Sequence, residues 1–394
     1  MHLQYEGRRN SQQIIQGAPR AALEVIDGVG AANKLVLGEN RLVLNTLLDH
    51  HAGKVELVYI DPPFATNTHF RVGTDRANSV SSSKLDPVAY SDRLVGPAYL
   101  EFLRERLVLL RELLSDSGSI YLHIDYKIGH YVKVLMDEVF GSENFRNDIT
   151  RIKCNPKNFS RKGYGNIKDM ILFYGKSDAA TWREARRPLS EEQEDRLFKK
   201  TDADGRRYTT VPLHAPGETT RGGTAKEWRG IRPPKGRHWR SAPDVLERLH
   251  QQGLIEWSST GVPRKKIYLD EGIGQKVQDI WEFKDPQQPK YPTEKNLDML
   301  KMIVGASSNE GDLVLDCFSG SGTTLIAASE LGRKWIGIDE SEHAIEVAKN
   351  RLRATTAAGH APVEYEVLCQ RGAVEKHRDG RAIAAKSEQL PLAA

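Results

Sequence analysis

Two short stretches of this chain combine residue types that could do chemistry. The first is Asp61-Pro62-Pro63-Phe64, directly after the apolar, β-branched run Lys54–Ile60. A carboxylate at the carboxyl end of a parallel strand lies where open α/β sheets bind ligands. Two prolines fix φ and remove two N–H donors, so the turn is rigid and its carbonyls point outward. A carboxylate beside a carbonyl offers two acceptors, which suits a group with two N–H donors, an NH2. Phe64 adds a flat face on which a heterocycle can stack. The plainer reading is a surface turn, because Asp-Pro-Pro is also good turn chemistry. The apolar strand before it and the aromatic after it favour a ligand site.

The second stretch is Asp316-Cys317-Phe318-Ser319-Gly320-Ser321-Gly322-Thr323-Thr324, a buried strand running into a Gly/Ser turn and then a helix. Glycines let backbone approach a ligand closely, and a helix N-terminus offers free N–H donors. Asp339 ends the next strand (WIGID), 17 residues after Gly322. An acid there can accept from both hydroxyls of a ribose. The turn does not spell G-x-G-x-x-G, which argues against a dinucleotide. A tight βα turn without a ligand is the bland alternative for the glycines alone.

The elements that must position these motifs are legible by period. Leu100, Leu103, Leu107, Leu110 and Leu114 recur at helical steps within Ala98–Leu114. Gly118 ends that helix and Ser119–Ile124 is a strand; Tyr131–Phe140 is a helix and Asp169–Tyr174 a strand. After Pro289 come a helix (Glu294–Ala306), a strand (Leu313–Cys317), a helix (Thr323–Leu331), a strand (Trp335–Ile338) and a helix capped by Ser341. Val363–Leu368 alternates as an edge strand would. Strands alternating with helices predict a parallel sheet. The expected divisions are an N-terminal arm (1–30), a first α/β block (31–175), an irregular insert (176–288), a second α/β block (289–370) and a disordered tail (371–394).

Composition bounds the rest. The chain has 394 residues, 39% hydrophobic and 28% charged, which is ordinary globular composition. No apolar run approaches the ~18 residues needed to span a bilayer. The N-terminus lacks the apolar stretch of a secretory signal. Three cysteines, Cys154, Cys317 and Cys369, fit a reducing cytoplasm, and no Cys/His spacing suggests a metal site. His123 and His130 read as structural. The net charge is only +4, but Arg221–Arg240 holds seven basic residues against one acid, Glu227. These are Arg221, Lys226, Arg229, Arg232, Lys235, Arg237 and Arg240, with Trp228 and Trp239 among them. A solvated basic loop is the bland alternative to a nucleic-acid contact.

Together these residues carry a family resemblance. Asp61–Phe64 resembles the D/N/S-P-P-Y/F signature of amino-methylating DNA methyltransferases, with Phe where Tyr is commoner. Asp316–Thr324 resembles their S-adenosyl-L-methionine motif. The order of catalytic motif, variable region and cofactor motif resembles the β-class. Ser119–Asp125, Lys168–Ser177 and Tyr291–Val304 also match, so the resemblance covers about Leu35 to Leu352. It implies a doubly wound, mostly parallel Rossmann-like α/β sheet with circularly permuted motifs and an inserted target-recognition domain.

The resemblance assigns catalysis to Asp61, Pro62, Pro63 and Phe64. It assigns the cofactor to Asp316, Phe318, Ser319, Gly320, Ser321, Gly322, Thr323, Asp339 and Asp61. Tyr291, Thr293 and Lys295 are expected near the cofactor's amino-acid part, although Thr293 also suits a helix cap. Gly38-Glu39-Asn40 resembles a turn beside the cofactor. The expected substrate is double-stranded DNA with a flipped base, adenine N6 ahead of cytosine N4. The basic stretch would hold phosphates, its arginines serving as candidate guanine readers. A homodimer, a cognate restriction endonuclease and a cytoplasmic, nucleoid-associated location are further expectations. A non-catalytic DNA-binding module and an RNA or protein amine methyltransferase are the competing readings.

Overall fold

The computed structural model describes residues 2–17, 19–28, 30–63, 69–71, 88–91, 96–156, 162–219, 222–271, 274–286, 294–357 and 362–371. The chain forms two compact units, 1–185 with 278–394, and 186–277.

The first unit is built on one ten-stranded sheet. Its strands are β1 (Leu23–Asp27), β2 (Asn33–Leu37), β3 (Val55–Ile60), β4 (Leu114–Ile124), β5 (Phe145–Ile152), β6 (Lys168–Gly175), β7 (Ile280–Glu282), β8 (Leu313–Asp316), β9 (Lys334–Asp339) and β10 (Tyr365–Gln370). Their spatial order is β1-β10-β2-β9-β8-β3-β4-β6-β5-β7. From β10 to β4 every pairing is parallel. Every residue of β3 is buried, as a strand covered on both faces requires. The helices are α1 (Ser11–Gly17), α2 (Asn40–His51), α3 (Gly96–Leu113), α4 (Tyr126–Phe140), α5 (Leu297–Ser307), α6 (Thr323–Glu330) and α7 (Glu342–Ala357). The leucine row expected of α3 is the face it buries: Leu100, Leu103, Leu107 and Leu110. No described helix is long and apolar enough to cross a membrane.

Several sequence expectations need correction. Residues 1–30 are not a loose arm: α1 sends Ile14 into the core and β1 pairs antiparallel with β10. Both elements are too short to show a period. β10 is not an edge strand, since it lies between β1 and β2. The sheet is mostly parallel, as expected, but β6 runs antiparallel to both β4 and β5. The link from β5 to β6 holds no helix among its described residues, and the chain reverses there. α5 begins at Leu297, after Asn296, whose side chain accepts from Met299 N–H, rather than at Glu294. Thr293 and Tyr291 lie outside the described residues, as does most of the expected tail.

The insert is narrower and more regular than expected. Residues 176–185 return to the sheet unit through Lys176 N–H to Gly118 O (2.8 Å), Thr181 N–H to Ser117 O (2.8 Å) and Arg183 N–H to Ala306 O (2.7 Å). Beyond Gln278, β7 pairs in parallel with β5. The second unit contains a four-stranded antiparallel sheet in the order Lys200–Thr201, Arg207–Pro212, Pro263–Tyr268, Ile255–Trp257. It has its own core of Leu213, Trp228, Trp239, Leu246 and Ile255. Trp228 stacks on Trp257 at 5.6 Å between centroids.

Arg151 shows how β7 is held. It is fully buried on β5, donating from Nε to Phe283 O at 2.8 Å and pairing with Asp285 and Asp169. Arg151→Ala strips these partners of their cation inside the fold. It should lower stability by about 3–5 kcal/mol, read as a fall in the urea midpoint.

Candidate active site

β3 and β8 are neighbours at the centre of the sheet, and the chain leaves them in opposite directions. β3 continues through α3 to β4 on one side, and β8 through α6 to β9 on the other. Such a switch point opens a crevice at the carboxyl ends of the two strands. Asp61 follows β3 and Asp316 ends β8, so both expected motifs meet there.

Asp61 is mostly buried, with its side chain 16% exposed. Its Oδ2 pairs with Lys295 Nζ at 2.8 Å. Its Oδ1 is buried and, among the described residues, has no hydrogen-bond partner. Such an atom costs free energy unless something arrives to donate to it. Behind it lies a polar chain that the sequence alone did not reveal. His123, on β4 and fully buried, has Nδ1 2.9 Å from Tyr59 Oη and Nε2 3.2 Å from Asp169 Oδ2. Lys153 Nζ donates to Asp169 Oδ1 at 2.6 Å. Burial opposes charge on Asp169, but the His123 hydrogen bond and the Lys295 and Lys153 charges hold its carboxyl well below the usual range. Burial, with the Lys295 charge, pushes the His123 imidazole down, favouring the neutral ring. A lone histidine in an apolar strand carries no periodic signal. Only its pairing with Asp169 on the facing strand reveals it.

The glycine turn is shaped from within. Asp316 Oδ1 accepts from Phe318 N–H at 3.0 Å, and its Oδ2 accepts from Thr324 Oγ1 at 2.6 Å. Asp316 therefore fixes the turn, and burial pushes its carboxyl up to about 7. Asp339 accepts from Gly320 N–H at 2.8 Å and Ser341 N–H at 3.0 Å, and burial raises it to about 6. Each of its oxygens retains accepting capacity. Gly320 and Gly322 both have positive φ, +49° and +76°. Ser319 Oγ is buried with no partner among the described residues.

A second feature hidden in the sequence braces this turn. Arg351 on α7 donates from Nη1 to Ser321 O (3.0 Å), Ser321 Oγ (2.6 Å) and Thr323 Oγ1 (2.9 Å), while Nη2 pairs with Glu294 at 2.9 Å. Glu294 adjoins Lys295, so one side chain ties the glycine turn to the segment that reaches Asp61. On the other flank, Glu39 caps α2, and Asn40 Nδ2 donates to Cys317 O at 2.8 Å. Buried Arg106 holds both Glu39 and Asn40. The Gly38-Glu39-Asn40 turn thus lies against the end of the cofactor strand. Pro62 is buried and Pro63 half-buried; Phe64 lies outside the described residues.

In the second unit the seven basic residues differ in their freedom. Arg229 sits at positive φ (48°) and its fork is filled by Glu247, at 2.8 Å from Nε and 2.7 Å from Nη2. Arg232 lies 3.5 Å from Glu227, and Arg237 Nη1 is 3.2 Å from His214 Nδ1. Lys226, Lys235 and Arg240 form no ion pair among the described residues. Arg221 is outside them. Trp228 and Trp239 are buried core, not a surface platform.

A glycine turn and a mostly buried Asp-Pro-Pro carboxylate thus meet at one switch point. The family model described as DNA methylase matches residues 55–350, and the chain belongs to that family. Among its relatives is the type II methyltransferase M.EcaI of Enterobacter cloacae, 43% identical over 92% of this chain and 78% of that protein. The StyLTI Mod subunit, a type III restriction-modification enzyme of Salmonella typhimurium, is 27% identical over 77% of this chain and 50% of its own length. The solved M1.HpyAVI–SAM complex aligns over 81% of this chain and 99% of that one, at 18% identity and a TM-score of 0.41.

Gly322 tests the turn. A Cβ there would lie 3.0 Å from Ala348 Cβ, in backbone that L residues avoid. Gly322→Ala should cost about 1–2 kcal/mol of stability in denaturant titration.

Proposed function

We propose that this DNA methylase moves a methyl group from S-adenosylmethionine to the exocyclic amine of a base flipped out of double-stranded DNA. Adenine N6 is the favoured target, ahead of cytosine N4, because the signature begins with Asp. The observation that carries this reading is Asp61 Oδ1, a buried carboxylate oxygen without a partner among the described residues, beside the glycine turn. The residues present suit the cofactor. Ser319 Oγ is a second buried, unpartnered atom among the described residues, and Asp339 retains lone pairs for ribose hydroxyls. Phe318, Ser319, Gly320, Ser321, Gly322 and Thr323 would line it, Asp316 would hold that turn in shape, and Thr293 and Lys295 would lie towards its amino-acid end.

When bound, the cofactor supplies an electrophilic methyl on a sulfonium. The protein's part is orientation and electrostatics. Asp61 Oδ1 accepts one amine hydrogen and the Pro62 carbonyl the other, turning the nitrogen lone pair away from the ring. Pro63 keeps that turn rigid, and Phe64 offers the stacking face. Lys295 holds Asp61 in one orientation through Oδ2. Base flipping costs a few kcal/mol, which stacking partly offsets. No cysteine is needed, and buried Cys317 has its thiol pushed well up by burial.

The DNA-facing role falls on the second unit. Lys226, Lys235 and Arg240 are the best phosphate candidates because no acid among the described residues engages them; Arg232, Arg237 and, from the sequence alone, Arg221 are further candidates. Arg229 must first release Glu247 to read a base. The reading extends to a cytoplasmic, nucleoid-associated protein, to a second copy of the chain, and to a cognate restriction endonuclease. The restriction-modification name of the StyLTI Mod subunit supports that last part.

Mass spectrometry of nucleosides from DNA treated with the protein and S-adenosylmethionine should show N6-methyladenine. N4-methylcytosine would reverse the base preference, and neither product would reject the activity. Asp61→Ala should abolish the product while calorimetry still shows cofactor binding; turnover within about tenfold of wild type removes Asp61 from catalysis. Replacing Lys226, Lys235 and Arg240 together should weaken DNA binding and lower its salt slope by about one for each phosphate no longer neutralised. An unchanged slope moves the interface elsewhere.

A further inference from the structure

The transferred methyl leaves a proton to be disposed of, and the crevice holds a place for it. We infer that His123 takes this proton from Asp61 and stores it against Asp169. This rests on the methyl-transfer reading above. His123 touches neither substrate nor cofactor in this scheme; it acts through Asp61 and is a positioning residue.

The tautomer follows from the partners. Asp169 is an acceptor, so the Nε2 that faces it at 3.2 Å carries the ring proton. Nδ1 is then a lone pair, and the Tyr59 hydroxyl, 2.9 Å away, donates to it. That same Nδ1 lies 4.0 Å from Asp61 Oδ1, which has no hydrogen-bond partner among the described residues. Two acceptors with no hydrogen between them wait for one proton. A side-chain shift of roughly 1 Å brings them to hydrogen-bond distance. Other groups facing the ring set its charge. Tyr59 and Asp61 come from the β3 end, Asp169 from β6, Arg151 and Lys153 from β5 and its exit, and Lys295 from the segment before α5. Burial and Lys295 keep the imidazole neutral before transfer, as an acceptor must be.

The accepting amine forms its N–CH3 bond as the S–CH3 bond breaks, the electron pair staying on sulfur. The amine is then cationic and gives one N–H proton to Asp61 Oδ1, which leaves a neutral methylamino product. Asp61 passes the proton to His123 Nδ1 as the Tyr59 hydroxyl turns aside. The imidazolium stays paired with Asp169, whose other oxygen is held by Lys153, a side chain 25% exposed.

His123→Gln keeps a donor for Asp169 but cannot bind a proton. Its kcat at neutral pH should fall by on the order of 10²-fold and recover as pH rises, with the KM for DNA and the cofactor affinity nearly unchanged. Tyr59→Phe removes the donor that favours neutral His123. Its ring should protonate more readily, so the acid limb of activity should move to higher pH while the plateau survives. Nitrogen NMR of the free wild-type protein gives a readout apart from activity, and should show the neutral Nε2–H tautomer. A kcat and pH profile of His123→Gln matching wild type, or an Nδ1–H tautomer, overturns the inference while wild-type methylation stands. Absence of methylation by the wild type overturns both readings.

Discussion

The ion pair between Asp61 and Lys295, 2.8 Å long, is the constraint on which the site depends. Its partners come from the two sequence blocks that share the sheet, one after β3 and one before α5. Burying a carboxylate is costly unless a cation or donors compensate. Lys295 compensates one oxygen and leaves the other buried without a hydrogen-bond partner among the described residues. Arg351 and Glu294 hold the segment that carries Lys295, so the position of Asp61 depends on the glycine turn. The two motifs are thus one electrostatic unit, although the chain separates them by the whole insert.

Much of this was legible in the sequence because strong local physics supports it. The apolar run of β3, the leucine row of α3 and the Gly/Ser turn after β8 each declare their own element. The order of Asp61–Phe64 before Asp316–Thr324 already implied a sheet assembled from two blocks. What stayed hidden were properties of pairs rather than of segments. The reversal of β6, the central place of β10 and the β1 pairing depend on which strands meet, and short strands carry little such information. The partners of His123 and Arg351 were hidden for the same reason. Each matters through a partner on another element, Asp169 for one and Ser321 with Glu294 for the other.

The second unit shows how composition misleads in detail. Its Gly, Pro, Arg and Trp content reads as irregular, yet the tryptophans are the core. Trp228 and Trp239 are 3% and 1% exposed, and their ring N–H groups donate to Glu247 and to Lys226 O. The basic residues then lie over an aromatic interior, so mixed Arg/Trp sequence sorts into an outside and an inside. The six described basic residues, Lys226, Arg229, Arg232, Lys235, Arg237 and Arg240, are all exposed, and Glu247 already engages Arg229, one of the candidate base readers.

The way the chain leaves and re-enters the sheet has an architectural consequence. Before the second unit begins, residues 176–183 are already hydrogen-bonded to Gly118, Ser117 and Ala306; after it ends, Asp279, β7 and Asp285 return at once to β5 and Lys153. Both ends of the excursion are thus sealed by the main sheet itself. Residues 186–277 behave as a cassette between two fixed clamps. The hydrogen bonds of both clamps lie outside residues 186–277, so a change of length within that segment removes none of their donors or acceptors.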